Sequence, residues 1–246
     1  MNKVALITGS SKGIGKQTAI EFAKQGIDII INYNNSKQKA LDLEEYIKTN
    51  YQVKTLVIKA DVSNEEEVKN MINKSIEVFN KIDILVNNAS IANDSLLLDK
   101  TKEDFLKVIN INLIGTFLTT KYVAKHMLEN KSGKIINVSS TNGIDTPYPE
   151  SCDYDASKAG VISLTHNLAK ELSPYINVNC VAPGWVKTEM NINLDEEQIK
   201  KEEKNILLKR FAEPKEIAKV ITFLSSDEAS YINNTIIKVD GGNTKN

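Results

Sequence analysis

The sequence predicts an α/β fold: a doubly wound parallel sheet of about seven strands with helices on both faces. Two observations predict this fold. Short apolar runs alternate with longer segments of helical periodicity along the 246 residues, and the polar and glycine-containing motifs of the chain follow the apolar runs. Strands separated by helices form parallel sheets, whose ligands gather at the carboxyl ends of the strands. With no internal repeat or seam, residues 1–246 are expected to form one domain.

The elements follow in order from these patterns. The predicted strands lie near residues 3–8, 27–33, 53–58, 82–86, 133–139, 175–181 and 234–239. The predicted helices lie near 13–25, 37–50, 64–79, 102–130 (broken near 109), 153–172, 190–206 and 214–225. The first strand contains Val-Ala-Leu-Ile-Thr at 4–8, a run typical of a buried parallel strand. The third helix is predicted to begin within Ser-Asn-Glu-Glu at 63–66, with acidic residues in its first turn.

Composition excludes several classes of protein. The chain has 31 Lys and Arg residues against 32 Asp and Glu residues, a net charge of −1, which does not favour nucleic acid or a membrane surface as a partner. No apolar run approaches the roughly 18 residues that a membrane span needs. The first strand begins at once, so we expect no signal peptide. Cys152 and Cys180 are expected to be free thiols, which fits a cytoplasmic location.

A glycine-rich turn follows the first strand. Residues 9–15 read Gly-Ser-Ser-Lys-Gly-Ile-Gly and lead into a helical pattern. Such a turn between a strand and a helix lets backbone N–H groups approach a pyrophosphate at the helix N-terminus. Three glycines alone would also fit a flexible loop. The order of strand, turn and helix favours a dinucleotide site.

Tyr154 and Lys158 form a candidate proton-transfer pair. At i and i+4 of a helix, their Cβ atoms would be about 5–6 Å apart. A phenol has a pKa near 10, and a neighbouring ammonium can lower that value by about 1–3 units. Ser140, fourteen residues before the tyrosine, could hold a substrate oxygen against the same phenol. Tyr33 and Lys37 share the spacing without such a context, so the spacing alone does not establish a site.

These motifs together resemble those of the short-chain dehydrogenase/reductase family over nearly the whole chain. The glycine turn has the form Thr-Gly-x-x-x-Gly-x-Gly rather than Gly-x-Gly-x-x-Gly. The matching motifs are residues 8–15, 61–62, 87–89, 110–115, 137–140, 154–158, 183–188, 210–214 and 239–242. The resemblance implies a single Rossmann-like dinucleotide-binding and catalytic domain. It also implies reversible hydride transfer between a nicotinamide and a carbonyl carbon.

The resemblance implies a role for each catalytic residue. Tyr154 would donate a proton to the developing alkoxide, Ser140 would position its oxygen, and Lys158 would lower the pKa of Tyr154 and bind the nicotinamide ribose. Asn112 would hold a water that passes protons toward the lysine, although a purely structural buried amide remains the alternative. Ser139, one residue from Ser140, would point to the opposite face of its strand.

The resemblance also implies a set of cofactor contacts. The implied residues are Gly9, Ser11, Lys12, Gly13, Ile14, Gly15, Asn32, Ser36, Asp61, Val62, Asn87, Ala89, Tyr154, Lys158, Pro183, Gly184, Val186 and Thr188. Asp61 could instead be a plain helix-start residue, and Ser90 stands where the family usually has glycine. His126 and His166 lie in helical stretches, and no spacing indicates a metal site.

The end of the second strand indicates NADP(H) as the cofactor. NAD-preferring enzymes usually carry an acid there, which binds the adenosine ribose, whereas residues 31–37 contain none. Asp28 lies near the opposite end of the strand, roughly 13 Å away at about 3.3 Å per residue. In the family, a basic residue at the position of Lys12 accompanies NADP preference, and Ser36 and Lys37 could add contacts. The alternative is that both lysines are solvated surface residues.

The substrate is indicated by residues 189–218. Residues 189–209 resemble the mobile segment that closes over substrate in this family, with Met190, Ile192, Leu194 and Ile199 as its apolar positions. Residues 208–218 closely resemble β-ketoacyl-acyl carrier protein reductases. The implied reaction is the NADPH-dependent reduction of a carrier-linked β-ketoacyl thioester in fatty acid biosynthesis.

Docking of an acidic carrier protein is only partly supported by the sequence. Lys131 matches one of the two basic positions that the resemblance implies for docking. Residues 173–175 (Ser-Pro-Tyr) lack the second, and residues 145–155 add acids near the expected entrance. Two alternatives therefore remain: a sugar or other secondary-alcohol dehydrogenase of the same family, and a non-catalytic NADP(H)-binding protein. The resemblance also implies a homotetramer formed through the helices near 102–130 and 153–172.

Overall fold

Seven short apolar segments pair into one parallel sheet in the computed structural model, which describes residues 2–191 and 194–244. The strand order is β3-β2-β1-β4-β5-β6-β7. The strands are β1 (Val4–Ile7), β2 (Asp28–Tyr33), β3 (Thr55–Lys59), β4 (Ile84–Asn87), β5 (Gly133–Val138), β6 (Ile176–Pro183) and β7 (Ile236–Val239). The predicted doubly wound parallel sheet is confirmed.

Helices cover both faces of this sheet because side chains alternate along each strand. The helices are α1 (Gly13–Lys24), α2 (Lys37–Asn50), α3 (Glu65–Phe79), α4 (Lys102–Ile109), α5 (Gly115–Glu129), α6 (Cys152–Leu172), α7 (Glu196–Lys204) and α8 (Pro214–Leu224). In β1, Ala5 and Ile7 join the core beneath α1, α2 and α8. Val4 and Leu6 join the core beneath α3, α5 and α6.

The order of the strands places a crevice at the carboxyl ends of β1 and β4. The chain runs outward from β1 through β2 to β3, and then returns to the other side of β1 with β4. This reversal is the point at which open α/β sheets bind their ligands. The glycine-rich turn follows β1, and the motif containing Asn87 and Ala89 ends β4, so the two lie on adjacent strands.

The predicted break near residue 109 is present as a π-helical turn, Asn110–Ile114, between α4 and α5. Such single turns of wider helix are found frequently at functional sites. Here the turn carries Asn112, whose side chain is directed into the protein and is 1% exposed. The π-helical turn therefore directs the Asn112 amide into the protein, whereas a regular helix would turn this residue to a different face.

The helix predicted at 190–206 is shorter in the structure, where α7 spans Glu196–Lys204. Asp195 explains the later start, because its carboxylate accepts the N–H of Gln198 at 2.8 Å and the Gln198 side chain returns to the N–H of Asp195. This capping box fixes the first turn of α7 at residue 196. Glu189–Asn191 forms a separate 3₁₀ turn, and Ile192 lies outside the described residues.

Asparagine and threonine side chains connect the central strands inside the core. Asn87 Nδ2 donates to Asn137 Oδ1 and to Thr120 Oγ1, both at 2.9 Å. Asn137 Nδ2 donates to Thr165 Oγ1 at 2.9 Å. The chain of hydrogen bonds links β4, β5, α5 and α6 in the layer behind the crevice. Buried polar groups of this kind stabilise a fold only while every member has a partner.

We expect Asn137→Ala to lower the free energy of unfolding by about 1–3 kcal/mol, because it removes the shared partner of Asn87 and Thr165. Chemical denaturation monitored by circular dichroism measures the change. Asn167→Ala, on the exposed side of α6, is the matched control and is expected to change stability little. Equal stability of the two variants would contradict the structural role of the network.

Candidate active site

The glycine-rich turn is held open by hydrogen bonds from the neighbouring strands. Gly9 adopts φ +62° and Gly13 adopts φ +54°, a left-handed conformation that favours glycine. Gly9 N donates to Asn32 Oδ1 at 3.0 Å. No side chain caps the first turn of α1, whose N-cap is Lys12. The turn therefore presents backbone amides at a helix start, which is the arrangement that binds a pyrophosphate.

Asn88 fastens this turn to the end of β4, a role that the sequence motifs did not assign to it. Its Nδ2 donates to Thr8 O at 2.9 Å and to Gly9 O at 3.2 Å. Thr8 Oγ1 in turn accepts the N–H groups of Asn88 and Ala89, each at 3.0 Å. A Cβ at Gly15 would lie 2.6 Å from Asn88 Nδ2, so only glycine fits there. The Asn-Asn-Ala motif at residues 87–89 was the available signal for this contact.

The predicted adenosine contacts lie at the ends of β2 and β3. Asn32 is buried, and its Nδ2 donates to Ala60 O at 3.0 Å, so its amide shapes the turn from within. Asp61 accepts hydrogen bonds from Ser63 Oγ at 2.6 Å and from Asn34 Nδ2 at 2.9 Å. Asp61 thus serves the turn before α3, as the alternative interpretation expected. Its contact with an adenine stays a prediction.

Val62 lies against the start of α5, since a Cβ added to Gly115 would be 2.6 Å from Val62 Cγ2. Ser11 is buried in the glycine turn, and Ile14 packs against the core beneath α1. These contacts place the predicted adenosine and pyrophosphate residues around one crevice.

The predicted nicotinamide contacts lie after β6. Pro183 ends that strand, and Gly184 N donates to Val239 O at 3.1 Å. Val186 is buried. A Cβ added to Gly13 would be 3.4 Å from Thr188 Cγ2, so the segment after β6 closes against the glycine turn. The structure therefore brings these two predicted cofactor segments together from opposite sides of the crevice.

Tyr154 and Lys158 lie together on α6, facing Ser140 at the end of β5. Lys158 Nζ is 5.4 Å from the centroid of the Tyr154 ring and donates to Val138 O at 2.9 Å. The Ser140 hydroxyl lies close enough to the Tyr154 phenol to lower its pKa, and it donates to Asn142 Oδ1 at 3.2 Å. Ser139 instead donates to Lys158 O at 2.8 Å, so it supports the helix and does not face the phenol.

The electrostatics of this pair differ from the predicted lowering of the tyrosine pKa. Desolvation by the surrounding protein raises the pKa of Tyr154 to about 12, against smaller lowering contributions from hydrogen bonds to Ser140 and Ser90. Desolvation also lowers the pKa of Lys158 to about 8. Both shifts have one physical cause, because an environment poor in water disfavours the charged form of each group. At neutral pH the phenol carries its proton and the lysine is charged.

Asn112 braces the site through its side chain. Its Oδ1 accepts Ile91 N at 2.9 Å and its Nδ2 donates to Ile91 O at 2.9 Å and to Ser157 Oγ at 3.0 Å. Ser157 Oγ donates to Tyr154 O at 2.6 Å. These bonds support the interpretation of Asn112 as a buried structural amide, while its contact with a water stays a prediction. Ser157 was not recognised in the sequence, although it lies between Tyr154 and Lys158.

The basic residues expected near a cofactor phosphate lie at the starts of α1 and α2. Lys12 and Lys37 are exposed, and Ser36 is half-buried at the N-cap of α2. Glu189 was not among the site residues predicted from the sequence. Its carboxylate forms an ion pair with Lys39 Nζ at 3.4 Å. Burial alone would raise the pKa of Glu189, but its own backbone hydrogen bond, Lys39 and Lys12 together lower it. This carboxylate is therefore charged beside the lysines that a phosphate would meet.

An aromatic cluster attaches the segment 189–209 to the rest of the site. The Tyr148 hydroxyl donates to Glu202 Oε2 at 2.7 Å, and Trp185 Nε1 donates to both groups. The Trp185 ring stacks on Phe211 with centroids 5.2 Å apart. Glu202 belongs to α7 and is buried in this contact. The cluster therefore connects α7 with the loop before α6 and with the end of β6.

Lys131 lies near the amino-terminal end of β5, whereas the candidate site lies at the carboxyl ends of the strands. It follows α5 and precedes β5, whereas Ser140 follows β5, and the strand between them spans about 17 Å at about 3.3 Å per residue. Its Nζ is 5.9 Å from the centroid of the Tyr175 ring. Within the chain, Lys131 therefore does not flank Tyr154.

The described residues, 2–191 and 194–244, contain no group of three or more His, Cys, Asp or Glu side chains arranged to hold a metal ion. No helix among them has both the length and the apolar character needed to cross a bilayer.

The chain is similar to known proteins over nearly its whole length. A family model described as Enoyl-(Acyl carrier protein) reductase matches residues 9–244. A 3-oxoacyl-[acyl-carrier-protein] reductase of Synechocystis sp. is 43% identical over 242 residues, which cover 98% of this chain and 96% of that protein.

Two solved structures also superpose closely. Levodione reductase is 35% identical, with a TM-score of 0.91 and coverage of 98% of this chain and 96% of that one. A gluconate 5-dehydrogenase from Burkholderia cenocepacia, in complex with NADP and tartrate, is 31% identical. Its TM-score is 0.92, with coverage of 98% of this chain and 95% of the other.

We expect Asn88→Ala to weaken nicotinamide cofactor binding by about tenfold, because the glycine turn loses its hydrogen bonds to β4, each worth about 1 kcal/mol. Titration followed by NADPH fluorescence measures the dissociation constant. Asn130→Ala, at the exposed end of α5, is the control. An unchanged dissociation constant in Asn88→Ala would show that the turn keeps its shape without the amide.

Proposed function

The chain belongs to the short-chain dehydrogenase/reductase family, and from this premise we propose that it reduces a β-ketoacyl thioester linked to acyl carrier protein. The product is the β-hydroxyacyl thioester, an intermediate of fatty acid biosynthesis, and the reductant is NADPH. The observation that carries the proposal is the buried Lys158 beside Tyr154, with the Ser140 hydroxyl close enough to the phenol to lower its pKa. Similarity to a 3-oxoacyl-[acyl-carrier-protein] reductase over 98% of this chain supports the substrate.

The proton chemistry follows from the charge states of the two central residues. Tyr154, with a pKa near 12, carries the proton that a developing alkoxide needs. Lys158 is charged below a pKa of about 8 and lies 5.4 Å from the ring centroid, where it stabilises the phenolate that remains. The Ser140 hydroxyl holds the substrate oxygen against the phenol. NADPH, when bound, supplies the hydride.

The residues around the crevice fit a dinucleotide. The positive-φ glycines, the uncapped start of α1 and the approach of Thr188 to Gly13 form a cradle for a pyrophosphate and a nicotinamide. The absence of an acid at the end of β2 and the exposed Lys12 support NADP(H) in preference to NAD. A 2′-phosphate would compete with Glu189 for Lys39, so the preference for NADP(H) is expected to depend on displacement of that carboxylate.

A second candidate is a dehydrogenase of small secondary alcohols or sugars. The position of Lys131 near the amino-terminal end of β5 favours this second candidate. A carrier protein docked at Lys131 would not face Tyr154 of the same chain, which lies at the carboxyl ends of the strands. Exposed acids at the mouth of the site, Asp94 and Glu150, would also repel an acidic carrier. A non-catalytic NADP(H)-binding protein is the third alternative, and the intact set of Ser140, Tyr154 and Lys158 argues against it.

The substrate is tested by NADPH oxidation with acetoacetyl thioesters of acyl carrier protein and of coenzyme A side by side, together with gluconate oxidation in the presence of NADP. We expect the highest kcat/KM with the carrier-linked thioester, because the proposed substrate is carrier-bound. Turnover confined to the free alcohol would favour the second candidate. NADPH binding without turnover of any of them would leave the non-catalytic alternative. Homotetramer formation and a cytoplasmic location stay predictions.

We expect the rate of reduction to fall as the pH rises through about 8, because the pKa of Lys158 is lowered to that value and its charge is lost above it. Tyr154 keeps its proton over the same range, since its pKa is about 12. A pH profile of kcat/KM measures the effect. A rate that rises through pH 8 would contradict this assignment.

Tyr154→Phe should lower kcat by about 100- to 10,000-fold by removing the proton donor. The matched control is Tyr33→Phe, which alters the other tyrosine that precedes a lysine by four residues. It is expected to leave kcat unchanged. Steady-state kinetics of both variants check the result, and a Tyr154→Phe enzyme with full activity would remove the phenol from the reaction.

A further inference from the structure

A buried ion pair lies beside Tyr154 and has none of the roles assigned above. Lys100 Nζ is 2.8 Å from Asp153 Oδ2, and the two side chains are 2% and 0% exposed. Lys100 ends the loop between β4 and α4, whereas Asp153 lies in the first turn of α6. Removing two charges from water is unfavourable unless close partners compensate for it. Other partners of Lys100 and Asp153 must therefore help to compensate for the burial of their charges.

Each oxygen of the Asp153 carboxylate holds a different segment of the chain. Oδ1 accepts the backbone N–H of Tyr154 at 2.8 Å, and Oδ2 accepts the Lys100 ammonium. The same ammonium donates to the carbonyl oxygen of Asn93. The ion pair thus connects the backbone of the proton donor with both ends of residues 93–100.

Two hydrogen bonds nearer the surface join the same segments. Ser151 Oγ donates to Asp94 Oδ1, and Ser95 N donates to Glu150 O, each at 2.9 Å. Asp94 and Glu150 are exposed, so water can replace these contacts. The ion pair lies beneath them, where water cannot compensate for its loss. Lys100 and Asp153 thus form a buried connection between the loop after β4 and the start of α6, in addition to that made by Asn112.

We infer that Lys100 and Asp153 are positioning residues for the reaction at Tyr154. They fix the first turn of α6, which carries the phenol, relative to the loop after β4. That loop begins at the crevice with Ala89 and Ser90. The inference rests on the proposed role of Tyr154 as proton donor. The cofactor turn has its own supports in Asn32 and Asn88, so the pair acts on the chemical step and not on cofactor binding.

Lys100→Met tests the pair by leaving the Asp153 carboxylate buried without its cation. We expect kcat for reduction to fall by about 10- to 100-fold, since a displacement of about 1 Å can lower a rate 100-fold. The KM for NADPH is expected to stay within about twofold, because the glycine turn is supported elsewhere. A merely structural role would not separate kcat from KM in this way.

The double variant Lys100→Met/Asp153→Asn supplies a rescue. It removes the unpaired charge and keeps an amide oxygen for the N–H of Tyr154, so its kcat should lie between those of Lys100→Met and the unaltered enzyme. If Lys100→Met alone does not fold, the double variant is compared directly with the unaltered enzyme and should still show a lower kcat at equal KM for NADPH. The matched control is Lys3→Met, because Lys3 and Asp227 form an exposed ion pair with the same 2.8 Å separation. It should leave both constants unchanged.

Three kinetic results would each overturn the inference: full kcat in Lys100→Met, a double variant no more active than the folded single variant, or a KM for NADPH that rises as kcat falls. Amide hydrogen exchange provides a readout without substrate. Residues 93–100 and 150–154 should exchange faster in Lys100→Met and not in Lys3→Met, and unchanged exchange would also overturn the inference. Failure of the unaltered enzyme to reduce any carbonyl compound would instead contradict the proposed function. Faster exchange in Lys100→Met would still show that the ion pair holds the two segments together.

Discussion

The geometry of the site depends on one buried amide, that of Asn112. Its two hydrogen bonds to Ile91 fix the loop after β4, and its bond to Ser157 fixes the turn of α6 that carries Tyr154. These segments are far apart in the sequence, and the amide can reach both only because a π-helical turn directs it inward. An amide is suited to this task, since it donates and accepts at once without carrying a charge. The position of the phenol thus follows from the irregularity between α4 and α5.

Burial then determines the charge states within that geometry. The same shortage of water keeps the proton on Tyr154 and makes the charge of Lys158 easier to lose. In the reductive direction the site must deliver a proton, and a phenol with a pKa near 12 is fully protonated at neutral pH, although it is a weaker acid than a free phenol. The neighbouring ammonium contributes most after that delivery, when the phenolate has formed. The raised pKa of Tyr154 and the lowered pKa of Lys158 are therefore compatible with one reaction, although each shift disfavours the charged form of its own residue.

The sequence predicted the strands and the motifs that follow them, because buried parallel strands are nearly continuous apolar runs and ligands gather where they end. It also located the irregularity near residue 109. It did not predict the start of α7, although Asp195 and Gln198 stand at capping-box spacing. The partnership of Lys100 with Asp153 could not be read from the chain, because an ion pair between distant segments leaves no local periodicity. The raised pKa of Tyr154 was not predicted for a related reason. The spacing of Tyr154 and Lys158 in the sequence reveals the nearby positive charge, but it does not reveal how far the fold removes the phenol from water.

The aromatic cluster above the site gives the chain a built-in optical probe. The sequence contains one tryptophan, and Trp185 lies where α7, the loop before α6 and the end of β6 meet. Its indole N–H is hydrogen-bonded to Glu202 of α7, and its ring lies flat against Phe211. A movement of α7 would change the polarity around this single tryptophan. The emission spectrum of the unlabelled protein therefore reports the position of that helix in solution.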